Sequence, residues 1–267
     1  MIKMKRYLTG LLAGLFALIF MRCADVKPQA FSDYTKYYEQ GMEQFKKKRW
    51  EKAIQSFNLV LLNSPGGELA DDAQYYVGES YFQKKDYLLA ISEYQALTER
   101  YSYSPLAEDG AYKIARCYYN LSPRYQRDQT NTERALQSLQ EFLDSYPQSK
   151  YRSEVEEKIR DIRNKLARKN YESGVLYIKL QEWESAIIYF DNLLATYYDS
   201  QWAIPAKLDK ALCLIHLRKF EEYETLLGDL QAKEDLTARK DKLMVLKRAL
   251  DKEQKKIQKE QEKKSPQ

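Results

Sequence analysis

Histidine is almost missing from this chain: His216 is the only one in 267 residues. That excludes a two-histidine metal site. The three cysteines, Cys23, Cys117 and Cys213, stand far apart, with neither a CxxC pair nor metal-ligand spacing. There is no glycine-rich phosphate loop and no Gly-x-Ser-x-Gly elbow. His216 sits among Leu214, Ile215 and Leu217, as a histidine in a helix seam would. The carboxylate pairs Asp71-Asp72 and Glu156-Glu157 read as charges on helix surfaces, not as acid and base. No cofactor, no metal and no catalytic residue is expected, and the chain reads as a binding protein.

Glycine and proline are also scarce, at 9 and 7 copies, and 31% of the residues are charged. Such a balance fits a mostly helical protein. No apolar run is long. The longest uncharged stretch near the start, Tyr7 to Met21, covers 15 positions, whereas a bilayer-spanning helix needs about 20. Behind Lys3, Lys5 and Arg6 it reads as a secretory signal over residues 1–22. Cys23 follows at once, placed as a lipidated cysteine would be, although Phe20-Met21-Arg22 lacks the usual small residues. Acyl chains hold where so short a run cannot span, so Cys23 is the expected lipidation site and residues 23–33 a tether.

The formal charge of +5 is concentrated in one place. Residues 231–267 carry 12 Lys and Arg against 7 Asp and Glu, which leaves the rest neutral. A nucleic-acid partner is therefore not expected, because such binders carry a basic stripe on the folded body.

What the chain has in quantity is tyrosine, 23 copies, an amphipathic ring suited to helix seams and binding grooves. The tyrosines recur in a pattern. Gly78, Tyr81, Tyr87, Ala90 and Tyr94 fall at the offsets of a tetratricopeptide-like helical hairpin, and Gly41, Trp50, Ala53 and Phe57 repeat them, with Phe45 at the place of Phe82. Gly174, Tyr177, Trp183, Ala186 and Phe190 do so again. One hairpin cannot bury both its faces, so the pattern predicts an all-α, superhelical solenoid of about five hairpins. Hairpins one to three occupy 34–147, with a long polar loop over 120–132. A long helix and hairpins four and five occupy 148–230, and a charged helix or tail occupies 231–267, either a short capping helix that frays or a helix that depends on a partner.

The inner surface of such a stack is built from the first helix of each hairpin. Helical counting puts Tyr38, Met42, Phe45, Tyr75, Glu79, Phe82, Tyr112, Arg116 and Tyr119 there, an aromatic trough with one carboxylate and one guanidinium. It suits an extended peptide with aromatic side chains, Arg116 being available for a carboxylate. The matching positions in hairpins four and five, Tyr171, Val175, Ile178, Leu208, Leu212 and Ile215, are greasier. That end should be covered, by the C-terminal helix or by a partner.

The signal, the candidate lipid cysteine, five hairpins, the long third-hairpin loop ending in Arg127-Asp128 and the linker Tyr146-Pro147-Gln148-Ser149 together resemble the BamD family. Those are lipoproteins of the outer-membrane β-barrel assembly machinery. The resemblance implies an outer-membrane lipoprotein facing the periplasm, a scaffold and substrate receptor. Its C-terminal repeats would dock on the periplasmic domains of the barrel subunit BamA. Its N-terminal repeats would receive the C-terminal signals of unfolded barrel proteins, which typically end in an aromatic residue. The competing expectation is a periplasmic coordinator of envelope division or peptidoglycan synthesis.

Overall fold

The computed structural model describes residues 34–233 and 236–264, and the elements described are all helical. Five hairpins follow one another. They pair α1 (Tyr34–Lys46) with α2 (Trp50–Asn63), α3 (Ala70–Gln83) with α4 (Tyr87–Arg100), and α5 (Ala107–Leu121) with α6 (Thr130–Ser145). Then come α7 (Arg152–Lys179) with α8 (Trp183–Thr196), and α9 (Ala203–His216) with α10 (Phe220–Lys233). A 3-10 turn at Thr237–Arg239 leads into α11 (Lys240–Lys264). This is the hairpin array that the repeats predict. The chain packs as two compact units that divide between Gly110 and Ala111, inside α5. The expected signal, Cys23 and the tether lie outside the described residues.

Four hairpins turn in the same way. Lys48, Lys85, Gln181 and Arg218 each take a positive φ, between 56° and 66°. In each case this residue's N–H donates to the carbonyl three residues back, and the next N–H donates to the carbonyl five residues back. Lys85 N–H reaches Phe82 O at 2.9 Å and Asp86 N–H reaches Tyr81 O at 3.0 Å. That is a Schellman cap, which satisfies the last carbonyls of the first helix and redirects the chain. Glycine would fit best, and here a long side chain sits in its place. The third hairpin has no such cap; residues 122–129 replace it.

Each hairpin closes on one volume pair. A Cβ on Gly41 would lie 2.6 Å from the Phe57 ring, one on Gly78 2.8 Å from Tyr94, and one on Gly174 2.5 Å from Phe190. The sequence suggests that small residue faces small residue, Gly78 against Ala90; the structure instead sets the glycine beneath the ring of Tyr94. The two remaining hairpins carry Ala115 and Ala211 at the glycine position, and there the ring is replaced by Leu139 and Leu227. Glycine goes with an aromatic ring and alanine with leucine, as close packing of a fixed gap requires.

The core of the first unit gathers Ala53, Phe57, Val60, Ala73 and Val77. In the second unit one cluster joins α5, α6 and α7 around Leu139, Phe142 and Ile162. The next surrounds Phe190 and Leu193. The last joins α9 and α10 to α11 through Leu208, Ile215, Leu230 and Leu246. The helix of the tail covers the last hairpin and is longer than a short cap. It is a 25-residue helix whose Leu243, Leu246 and Leu250 pack on hairpin five.

Candidate peptide-binding and docking surfaces

In the first unit aromatic residues of α1 and α3 interlock around Tyr76, and Phe82 packs on α4. Tyr38, Met42 and Phe45 are half-buried and packed against the core. The Phe45 ring meets Trp50 at 5.0 Å and Tyr76 at 5.2 Å. Tyr75 touches Tyr76 and Tyr94, with centroids 5.6 and 5.8 Å apart, and Phe82 meets Tyr87 at 5.6 Å. Tyr38, Phe45, Tyr75 and Phe82 keep partly exposed surface, so these rings can pack and still present their edges. The hub is Tyr76, which helical counting passes over in favour of its neighbour Tyr75. Its ring stacks on Phe57 at 5.5 Å and also meets Tyr38. Burial, followed by the Asp72 carboxylate, pushes the Tyr38 hydroxyl up to about 12 and moves Tyr76 the same way.

Glu79 does not face an open trough. It is 8% exposed, and its carboxylate accepts hydrogen bonds from the Tyr94 hydroxyl at 2.9 Å and the Gln83 amide at 2.7 Å. A buried carboxylate needs such donors; this one ties α3 to α4 within the hairpin.

In the second unit Tyr112 is also buried. It is 2% exposed and stacked flat on Tyr151, with centroids 3.8 Å and planes 5° apart. Arg116 is half-exposed, its guanidinium 5.6 Å from the Tyr112 ring. Tyr119 is partly exposed and donates from its hydroxyl to Asp161 at 2.7 Å, with Lys158 4.6 Å above its ring. Burial and the Asp161 carboxylate raise the Tyr119 hydroxyl to about 12. Of the three trough positions in this unit, Arg116 and Tyr119 have surface to offer and Tyr112 is core.

The greasy positions divide in a similar way. Leu208 and Ile215 are fully buried, and Leu212 is half-buried beside them, in the cluster that contains Leu246 of α11. The C-terminal helix supplies this cover. Two polar contacts fasten it: Lys242 bonds to buried Asp209, which also accepts from the Tyr171 hydroxyl at 2.7 Å, and Arg218 forks onto Glu260 with two bonds of 2.8 Å. Burial, then Asp209, raises the Cys213 thiol to about 12. Hairpin four keeps Val175 and Ile178 half-buried, with Ile178 against the Phe190 cluster, while Leu176, Leu180 and Ile188 are exposed.

His216 stacks on Trp183, with centroids 4.1 Å and planes 13° apart, and its Nδ1 lies 3.8 Å from Glu253 of α11. It joins the tail to hairpin four's second helix. Among the described residues no group of three His, Cys, Asp or Glu is placed to hold a metal ion.

The third-hairpin loop is held by its own polar contacts. The Gln129 amide, 5% exposed, donates to the carbonyls of Arg124 and Arg127 at 3.0 and 2.9 Å. Thr132 donates to Gln129 Oε1, Asp128 accepts from the Thr130 N–H at 3.0 Å, and Lys169 of α7 donates to Arg127 O at 2.7 Å. Nothing in the helical period announces this; only the polar composition of 120–132 does.

Residues 32–214 match the model of a family described as outer membrane lipoprotein, YfiO. The chain is 24% identical over 194 residues to the outer membrane protein assembly factor BamD of Rickettsia prowazekii, covering 72% of this chain and 77% of that protein. Among solved structures, a TPR repeats protein from Bacteroides fragilis is 14% identical with a TM-score of 0.43, over 84% of this chain and 98% of that one. The P58(IPK) TPR domain is 16% identical with a TM-score of 0.42, over 86% and 67%. Among the described residues no helix is long and apolar enough to cross a membrane. With well over half of its length matched by the family model, the chain belongs to the YfiO family of outer membrane lipoproteins.

Proposed function

We propose that this chain is a non-enzymatic scaffold and substrate receptor in the assembly of β-barrel proteins into the outer membrane, held there by lipid on Cys23. The observation that carries the receptor role is the set of partly exposed rings on α1 and α3, Tyr38, Phe45, Tyr75 and Phe82, each packed against a neighbouring ring. Rings fixed in this way lose little freedom when a ligand arrives and accept aromatic side chains edge-on. An extended segment from the C-terminal end of an unfolded barrel protein has such side chains. The scaffold role falls to hairpin four, where Val175 and Ile178 lie beside the exposed Leu176 and Leu180. Docking of a BamA-type periplasmic domain there leaves α11 in place on hairpin five.

A peptide from the C-terminal end of a barrel protein, titrated into the full mature chain, tests the receptor role. Phe82→Ala and Tyr75→Ala are each expected to weaken binding about fivefold to tenfold, the loss of one aromatic contact of about 1 kcal/mol, with helicity unchanged. Unaltered affinity in both variants would show that the rings serve only packing.

A further inference from the structure

The positive charge that residues 231–267 carry is set out in order by α11. Leu243, Leu246 and Leu250 pack on hairpin five, and two carboxylates of the helix turn the same way. Glu253 is 4% exposed and lies 3.8 Å from Arg218, and Glu260 takes the Arg218 fork. The seam takes up acid as well as leucine.

What remains outward is basic. Arg248, Lys252, Lys255, Lys259 and Lys263 follow one another at spacings of four, three, four and four, which puts them on one face, and all five are exposed. At about 1.5 Å per residue the row is about 22 Å long. Its first four members line a single groove along α11 with Lys256 and one carboxylate, Asp251. None of the four has an ion pair among the described residues. Asp251 and Glu262 fall on one margin of the row by helical counting, and Asp241 belongs to the first turn, so they do not balance it. Met244 and Val245, one turn before Arg248 and to either side of the row, are 50% and 46% exposed.

The chemistry of the row selects its partner. Lysines outnumber arginine in it by four to one. A lysine is a hydrated point charge on a flexible stem, whereas a shaped carboxylate is better met by the planar fork of arginine. Point charges along a convex helix, with apolar side chains at one end, fit a flat anionic surface: the stems carry charge to the headgroups, and Met244 and Val245 enter between them. The seam on hairpin five holds the helix in advance, so little order is lost on binding. The chain's family is one of outer membrane lipoproteins, which puts a phospholipid surface within its reach.

We propose that the outward face of α11 binds the headgroups of an anionic phospholipid surface. This contact goes beyond the receptor and scaffold roles and does not depend on lipid at Cys23. Where that lipid is present, the face is a second hold, because a basic patch strengthens a single acyl anchor.

Co-sedimentation with vesicles tests this, using the full mature chain with Cys23→Ser so that no acyl chain contributes. One set of vesicles is phosphatidylcholine alone, and the other contains phosphatidylglycerol in equal part. Each cation near such a surface contributes about fivefold, so the row predicts a preference for the anionic vesicles of at least about twentyfold. Raising the salt to about 0.5 M should remove most of it. Lys252→Glu with Lys255→Glu, both exposed positions, is expected to bring the preference below about threefold with helicity unchanged. Lys46→Glu with Lys52→Glu makes the same change in net charge at exposed positions of hairpin one and is expected to leave the preference intact. Equal binding to the two kinds of vesicle overturns the proposal. An equal loss in the two double variants overturns it too, since net charge alone would then explain the attraction. Displacement from the anionic vesicles by poly-glutamate, at matched carboxylate and phosphate concentrations, would reassign the face to an acidic polypeptide. The receptor role stands or falls separately, on the peptide titration.

Discussion

Gly174→Ala puts the closing rule of the hairpins at risk. Gly174 lies inside the 28-residue helix α7, where alanine is the better helix former by about 1 kcal/mol. On propensity alone the substitution stabilises. The structure places the added Cβ 2.5 Å from Phe190 Cε1 and 2.7 Å from Cζ, and Phe190 is fully buried against Leu193 and Ala186. A ring so enclosed cannot withdraw, and overpacking of this kind costs about 1–3 kcal/mol. The upper part of that range applies, which leaves a net loss of about 1–2 kcal/mol. Phe190→Leu alone opens a cavity and costs about 1–2 kcal/mol. The double variant recreates the alanine and leucine pair that hairpins three and five already use. It should therefore be more stable than the sum of the single losses by about 1–2 kcal/mol, a coupling of the size found for residues in contact. Urea unfolding followed by far-UV circular dichroism measures all three variants. A stabilised Gly174→Ala, or a cycle whose effects simply add, would refute the reasoning.

The Schellman turns give a second test. Lys85→Gly removes the left-handed penalty at φ 66° and should stabilise by about 0.5–1 kcal/mol, while Lys85→Val should destabilise by at least as much in the same unfolding experiment. His216 gives a third. Burial holds its imidazole below the ordinary histidine value, and Lys256 and Lys252 act in the same direction, against Glu253 at 3.8 Å. The folded chain thus takes up this proton less readily than the unfolded one. The stability from His216 is full above the ordinary histidine range and is lost as pH falls through it; His216→Gln should make stability against pH shallower between about pH 7 and 5. Lys242→Ala should speed amide exchange in α11 relative to α8, because it removes the cation from buried Asp209; unchanged exchange would show that the leucines alone hold the helix.

The hairpins were legible because period and composition act together: a glycine, an aromatic ring and an alanine recur at fixed offsets, and stacking follows from what one hairpin leaves exposed. The long helix from Arg152 to Lys179 was legible for the same reason, a run without proline whose one glycine, Gly174, is a packing position. Site residues were less legible. Helical counting assigns a face, but it does not say whether the next element covers that face. Glu79 and Tyr112 are counted onto the inner face, yet both are buried, Glu79 bonded by Tyr94 and Tyr112 stacked on Tyr151. Leu208 and Ile215 were expected to be covered, and the cover is α11. The sequence of α11 shows only thinly spaced leucines in a charged run, because a helix lying on one narrow seam needs few. Tyr76 was hidden by its neighbour. The meeting of Arg168 with Tyr125 and Trp202 was out of reach, since tertiary packing alone brings them together.

The central proposal is that this chain works on β-barrel assembly as part of a complex with a barrel subunit. Crosslinking in intact cells, gentle solubilisation of the membranes and identification of what co-purifies with the chain tests it most directly. The account predicts a large outer-membrane β-barrel subunit in the recovered complex, with the chain itself in the membrane fraction and lipid on Cys23. Recovery of the chain without any barrel subunit, unlipidated and in the company of cell-wall enzymes, would contradict it.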